Sequence, residues 1–139
     1  MTPILLLSLL AYVAALLHAP ASVPLDAIAA HASGELEAVE VLVWMEHESD
    51  FGRALGGKRW DARAYGILQV RDEPWLEHDA AASVEAWLRR KRGAAKMCGD
   101  DGLAAISSGR CDRGTKLAES RRQEAEALWI LASYELGRP

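Results

Sequence analysis

Charge is missing where this chain begins: residues 1–25 contain no Asp, Glu, Lys or Arg. Other absences narrow the function. The 16 Lys and Arg against 20 Asp and Glu leave a net charge of −4, without the basic footprint of a nucleic-acid binder. No Cys/His spacing resembles a zinc site, no glycine-rich phosphate loop follows a strand, and no Ser-His-Asp set has a motif around it. Nothing in these patterns asks for a metal or a cofactor. Glu46, His47 and Glu48 are consecutive, and on a helix neighbours point about 100° apart, so these three cannot converge on one ion. Repeats, low-complexity tracts and alternating strand patterns of useful length are also absent, which leaves a mainly α single domain. Phenylalanine occurs once against five Trp. Trp fills cores, but it also offers a flat face to sugar rings.

The uncharged start contains a nearly unbroken apolar run over residues 4–17. This is the length of a signal-peptide core and short of the ~20 residues that span a bilayer. Ala19-Pro20-Ala21 places small residues where a signal peptidase reads, so the expected organisation is a signal peptide over 1–21 and a domain over 22–139. The run lacks a preceding Lys or Arg, which keeps two alternatives open: an uncleaved anchor, or an apolar helix docked on the domain. The first two readings put the folded part outside the cytoplasm, in a periplasmic or extracellular setting. The two cysteines, Cys98 and Cys111, flank a glycine-containing loop and read as a disulfide in an exported chain. Closing a loop of that size contributes roughly 3 kcal/mol in the chain-entropy model.

Helical periodicity is strongest over residues 35–48, where Leu36, Val39 and Val43 fall at helical spacing and Val41, Leu42, Trp44 and Met45 widen the stripe. A helix apolar around most of its circumference is a central one. A short helix over 24–33 precedes it. Gly52, Gly56 and Gly57 make 49–63 a loop, and residues 64–70 are too short to assign to strand or helix. Residues 80–92 read as a helix capped by Asp79 or Ser83, with Val84, Trp87 and Leu88 inward and Arg89-Arg90-Lys91-Arg92 as a solvated basic end. A short helix over 103–108 and a long one over 115–136 complete the chain. The pattern of the last puts Leu117, Leu128, Leu131 and Tyr134 inward and Arg121, Arg122, Glu124 and Glu126 outward.

Residues 43–70 carry the chemistry. Glu48 ends the central helix, where the last carbonyls carry partial negative charge and an apolar neighbourhood of Trp44, Met45 and Leu68 would desolvate it. Both disfavour the charged form, and a Glu held protonated is a general acid. Glycoside cleavage needs such an acid to protonate the leaving oxygen.

Glu48-Ser49 followed by Phe51, and then Ala64-Tyr65-Gly66-Ile67-Leu68-Gln69-Val70, resemble the first two motifs of the lytic transglycosylases of the lysozyme-like superfamily. The first motif of that family is a catalytic Glu followed by Ser, and the second a Gly-Leu-Met-Gln-Ile/Val run. Its third, Ala-Tyr-Asn-x-Gly, corresponds to Ala105-Ile106-Ser107-Ser108-Gly109, where Ile106 replaces the aromatic residue and Ser107 the amide. The resemblance covers about residues 35–136. It implies a lysozyme-like domain whose central helix ends at the catalytic Glu48, and cleavage of the β-1,4 bond between N-acetylmuramic acid and N-acetylglucosamine in peptidoglycan. Glu48 would protonate the leaving oxygen and then take a proton from the sugar's own C6 hydroxyl, giving a 1,6-anhydro product. Water in place of that hydroxyl would make a lysozyme-type hydrolase. The departures at Ile106 and Ser107 leave a third possibility, a non-catalytic peptidoglycan-binding or assembly protein on the same fold.

The implied substrate contacts are Ser49, Gln69, the backbone of Gly66 and Leu68, and Ser107. Tyr65 and Tyr134 are candidates to orient Glu48, and Trp60 and Trp75 are candidate sugar platforms. Asp50, Asp61 and Asp72 read as loop or capping residues. A membrane contact is expected only through an uncleaved N-terminal segment.

Overall fold

The structure, a computed structural model, describes residues 3–55 and 61–137. It is mainly helical, as expected. The elements in order are α1 (Pro3–Leu16), α2 (Leu25–His31), α3 (Glu35–Ser49), a hairpin of β1 (Ala64–Tyr65) and β2 (Val70–Arg71), a 3-10 turn (Pro74–Leu76), α4 (Ala80–Cys98), α5 (Leu103–Ser108) and α6 (Thr115–Glu135).

α3 is the central helix that its composition predicts. Every residue from Ala38 to Met45 is buried, including Glu40. The helix packs most extensively on α6, and α1 and α2 cover its other sides. At its start the Ser33 backbone N–H donates to Glu37 Oε1 at 2.8 Å, tying down a donor that the helix leaves unpaired. At its end Asp50 and Phe51 both adopt left-handed backbone, with φ of 49° and 56°. Two such residues in a row turn the chain sharply and drop the Phe51 ring into the core.

The apolar run at the start forms α1. Its Leu6, Leu9, Leu10, Val13 and Ala14 are buried, and it packs on α2, α3 and α6. Among the described residues no helix is long and apolar enough to cross a membrane.

Two expectations need correcting. The basic run does not end α4; Arg89, Arg90 and Arg92 remain open to solvent as expected, whereas Lys91 is buried. The helix continues through Gly93 to Cys98 and is closed by Gly99 at φ 71°. The four charges are also paired with acids from elsewhere in the chain. Arg89 and Arg90 both pair with Glu73, Lys91 donates to Glu37 at 2.7 Å, and Arg92 reaches Glu37 and the carbonyl of His31. Burial pushes the Glu37 carboxyl up, but hydrogen bonds from Lys91 and Ser33 outweigh it and hold the group below its ordinary value. Asp79 caps the helix start, accepting from the Ala82 N–H, as foreseen.

The second correction concerns α6. Its buried residues are Ala118, Arg121, Ala125 and Ala132, whereas Leu117, Leu131 and Tyr134 are exposed and Leu128 is half-buried. The three alanines are spaced by seven and form a narrow strip. Small side chains there let α6 approach α3 closely, and the larger apolar residues are rotated out.

The Cys98–Cys111 disulfide joins the end of α4 to the loop after α5. It fixes α5 between α4 and α6, which both contact it.

Candidate active site

A cavity of about 1010 Å³ lies at the C-terminal end of α3. Four elements supply most of its wall: the end of α3 with Glu46, His47 and Glu48, the hairpin with Leu68, Gln69 and Val70, α4 with Trp87, Arg90 and Met97, and α5 with Ala105, Ile106 and Ser107. All but α4 carry one of the three sequence motifs.

Ser49 fixes how the first two parts meet. It is buried, donates to the Ile67 carbonyl at 2.7 Å, and accepts from the Gly52 N–H at 2.8 Å. One hydroxyl thus ties the helix end both to its own loop and to the hairpin turn. Gly66 anchors that turn from behind. Its φ is 79°, and an added Cβ would sit 2.5 Å from the Leu76 carbonyl oxygen and 2.8 Å from Ser83 Oγ. Its N–H donates to Glu77 Oε2. Gly66 therefore supports the cavity wall without lining it. Gly66→Ala is expected to cost at least about 2 kcal/mol, from left-handed backbone plus overlap with main chain, seen as a lowered urea midpoint. An unchanged midpoint would show that the turn tolerates a side chain.

Glu48 lines the cavity, with its side chain 27% exposed, and beside the apolar neighbourhood expected it meets a cation. Arg121 of α6 donates from Nη1 to Glu48 Oε1 at 2.7 Å. The Arg121 guanidinium also lies over the Trp44 ring, 4.2 Å from its centroid. Trp44 in turn packs against Trp87 with ring centroids 5.7 Å apart. The group that orients Glu48 is thus an arginine seated on a tryptophan pair. Arg121 was assigned to the outer face of its helix. The alanine strip, with Arg121 three residues after Ala118 and four before Ala125, was the available signal.

Of the other expected site residues, Leu68, Gln69 and Ser107 line the cavity with Glu48 and Ser49. Gln69 has φ 52° and donates from Nε2 to the Gly66 carbonyl, so its amide holds the turn together. Ser107 donates to the Ala104 carbonyl. Tyr65 sits on β1 and, like Gly66, is outside the cavity lining. Tyr134 is 79% exposed near the far end of α6 and is not brought to Glu48, for the same rotation that draws Arg121 in. Trp75 is exposed and away from the cavity, whereas Trp44 and Trp87 line it. Trp60 lies outside the described residues.

The three acids near the motifs are engaged as loop residues. Asp50 caps α3 and pairs with Arg53, Asp61 pairs with Arg71, and Asp72 takes a two-pronged contact from Arg63. The hydrogen bonds from Arg63 hold the Asp72 carboxyl below its ordinary value.

Comparison of this chain with family models, with curated proteins and with solved structures finds no match. The fold and the cavity therefore stand on their own geometry.

A second cluster adjoins Glu48. His47 Nε2 and Glu124 Oε2 are 2.7 Å apart, and a carboxyl oxygen of Glu46 lies within 4.8 Å of both. Burial, and next the charge of Glu124, push the Glu46 carboxyl above its ordinary value. Glu46 and His47 are consecutive on α3, and Glu124 comes between them from α6. The sequence argument considered α3 alone, where neighbours diverge, and did not foresee a partner from α6.

Proposed function

We propose that the protein is an exported peptidoglycan-cleaving enzyme of lysozyme-like fold, with Glu48 as its catalytic carboxyl. The observation that carries this reading is the convergence of three motif-bearing segments on one cavity, with Glu48 at the end of the buried helix and the hairpin held to it by Ser49. The cavity wall mixes apolar side chains such as Leu68 and Ile106 with polar ones such as Gln69 and Ser107, the composition of a ligand site. In a lytic transglycosylase reaction Glu48 protonates the leaving oxygen, then accepts the proton of the C6 hydroxyl as that oxygen attacks C1. One carboxyl performs both steps. The ion-paired carboxylate suits the second. The first requires Arg121 to leave Oε1, and its seat on Trp44 gives it a place to remain close by.

The test is clearing of purified cell wall by the wild type and by Glu48→Gln, with thermal melting to check that both are folded. The enzyme reading expects at least about 100-fold loss in the variant, the scale of a lost general acid. Equal clearing by both would remove Glu48 from the mechanism. Mass analysis of the released fragments separates outcomes: anhydro ends mark a transglycosylase and reducing ends a hydrolase.

One observation favours a second reading, a non-catalytic wall-binding protein on the same fold. Arg121 occupies Glu48, and Ile106 and Ser107 stand where the family carries an aromatic residue and an amide. That reading expects wall sedimentation without clearing.

A further inference from the structure

We propose that Glu46, His47 and Glu124 form a binding site for a divalent transition-metal cation, with zinc the best match to the donors. The donor atoms, one from each residue, all lie within 4.8 Å of one another. Two helices supply them, so the geometry is set by the α3–α6 packing, the most extensive in the fold. One imidazole and two carboxylates are a donor set that zinc takes at about 2.0–2.2 Å. Ligands at those distances in a tetrahedral site are roughly 3.4 Å apart. His47 and Glu124 must open slightly from 2.7 Å and the widest pair must close by up to about 1.4 Å, both within reach of side-chain rotation.

The chemistry of the cluster favours a cation. Two carboxyl groups within 4.8 Å of each other repel when both are ionised, and a dipositive ion relieves that repulsion for both at once. The imidazole discriminates among ions. Magnesium and calcium prefer oxygen donors alone, whereas zinc accepts nitrogen. Glu46 and His47 also line the cavity, so an ion held here would keep a coordination position facing the space beside Glu48. It would in addition clip α3 to α6 next to the Arg121–Glu48 pair. The site uses none of the residues assigned to wall cleavage, and its fate is independent of that assignment.

The experiment is calorimetric titration of chelator-dialysed full-length protein with zinc chloride, paired with thermal melting. The wild type is expected to bind one equivalent saturably and to melt at higher temperature with zinc, while magnesium at the same concentration leaves the melting temperature unchanged. His47→Ala and Glu124→Gln are expected to weaken binding at least about 10-fold each. Both positions are partly exposed, so the variants should fold, and far-UV circular dichroism verifies it. His47→Gln, which retains length and polarity, should lose binding equally. Absence of saturable binding in the wild type, or wild-type affinity in all three variants, would overturn the site. In the second case the ion would be held by other residues.

Discussion

Replacing Arg121 with Met is expected to lower stability by about 3 kcal/mol, and adding Glu48→Gln to it to restore part of the loss. The single variant leaves a carboxylate without its partner in a wall that is only partly open to water. It also removes the guanidinium from the Trp44 face, a contact on the order of 1 kcal/mol or more when desolvated. Glu48 is 27% exposed, so water screens part of the penalty and the figure belongs at the lower end for a broken buried pair. Urea midpoints of the wild type, Arg121→Met, Glu48→Gln and the double variant complete the cycle. A coupling of about 1–2 kcal/mol is the expected result. Strictly additive effects would mean that the pair does not act as a unit. Arg121→Lys is an informative companion. It keeps the charge but loses the planar group that stacks on Trp44, so it should recover only a fraction of the loss.

The same pair bears on function. If wall cleavage runs through Glu48, Arg121 controls when its Oε1 is open to a substrate oxygen. If the protein only binds wall, Arg121 neutralises an acid that is not used in catalysis. The cell-wall clearing assay decides between these, and the stability cycle tells whether a silent Glu48→Gln variant is silent because it is unfolded.

Local signals in the sequence located most elements. Residues 35–48 are apolar around the helix and became the buried α3, and α5 runs over 103–108 as read from its short apolar segment. The Glu48, Leu68, Gln69 and Ser107 positions share one cavity because the motifs lie at the ends of elements that meet there. The misses have a common cause. Arg121 and Glu48 are 73 residues apart, and Lys91 and Glu37 are 54 apart. A charged residue on a helix pattern looks solvated until its distant partner is placed, and the pattern then rotates. In α6 that rotation put three alanines and an arginine inside and left Ile130, Leu131 and Tyr134 outside. Glu124 followed the same turn and joined Glu46 and His47, a grouping invisible to the spacing of any one helix.

Deleting residues 1–21 is expected to abolish cooperative folding of the remainder. Leu9, Leu10 and Val13 of α1 are fully buried, and Leu6 and Ala14 nearly so. At about 2 kcal/mol for each of the four large side chains, α1 contributes on the order of 8 kcal/mol as an upper figure. A domain of this size has roughly 5–15 kcal/mol of net stability in total. Removing α1 would also uncover the apolar faces of α3 and α6 on which it rests, and such faces aggregate. The leader-like composition and the packing make opposite demands on this segment. A signal peptide must be removable, whereas a core helix must stay. If the chain is exported as proposed, a retained α1 would satisfy both demands, since an uncleaved leader can fold back on its own domain. Circular dichroism melts of residues 22–139 and of the full chain, with N-terminal sequencing of the exported protein, test this together. A truncated chain that melts cooperatively at the full-length midpoint would show that α1 adds nothing to the core. Leu10→Asp gives the same answer within an intact chain. A buried aspartate at this fully covered position should cost several kcal/mol, whereas the same change on a disposable leader should leave the melt unchanged.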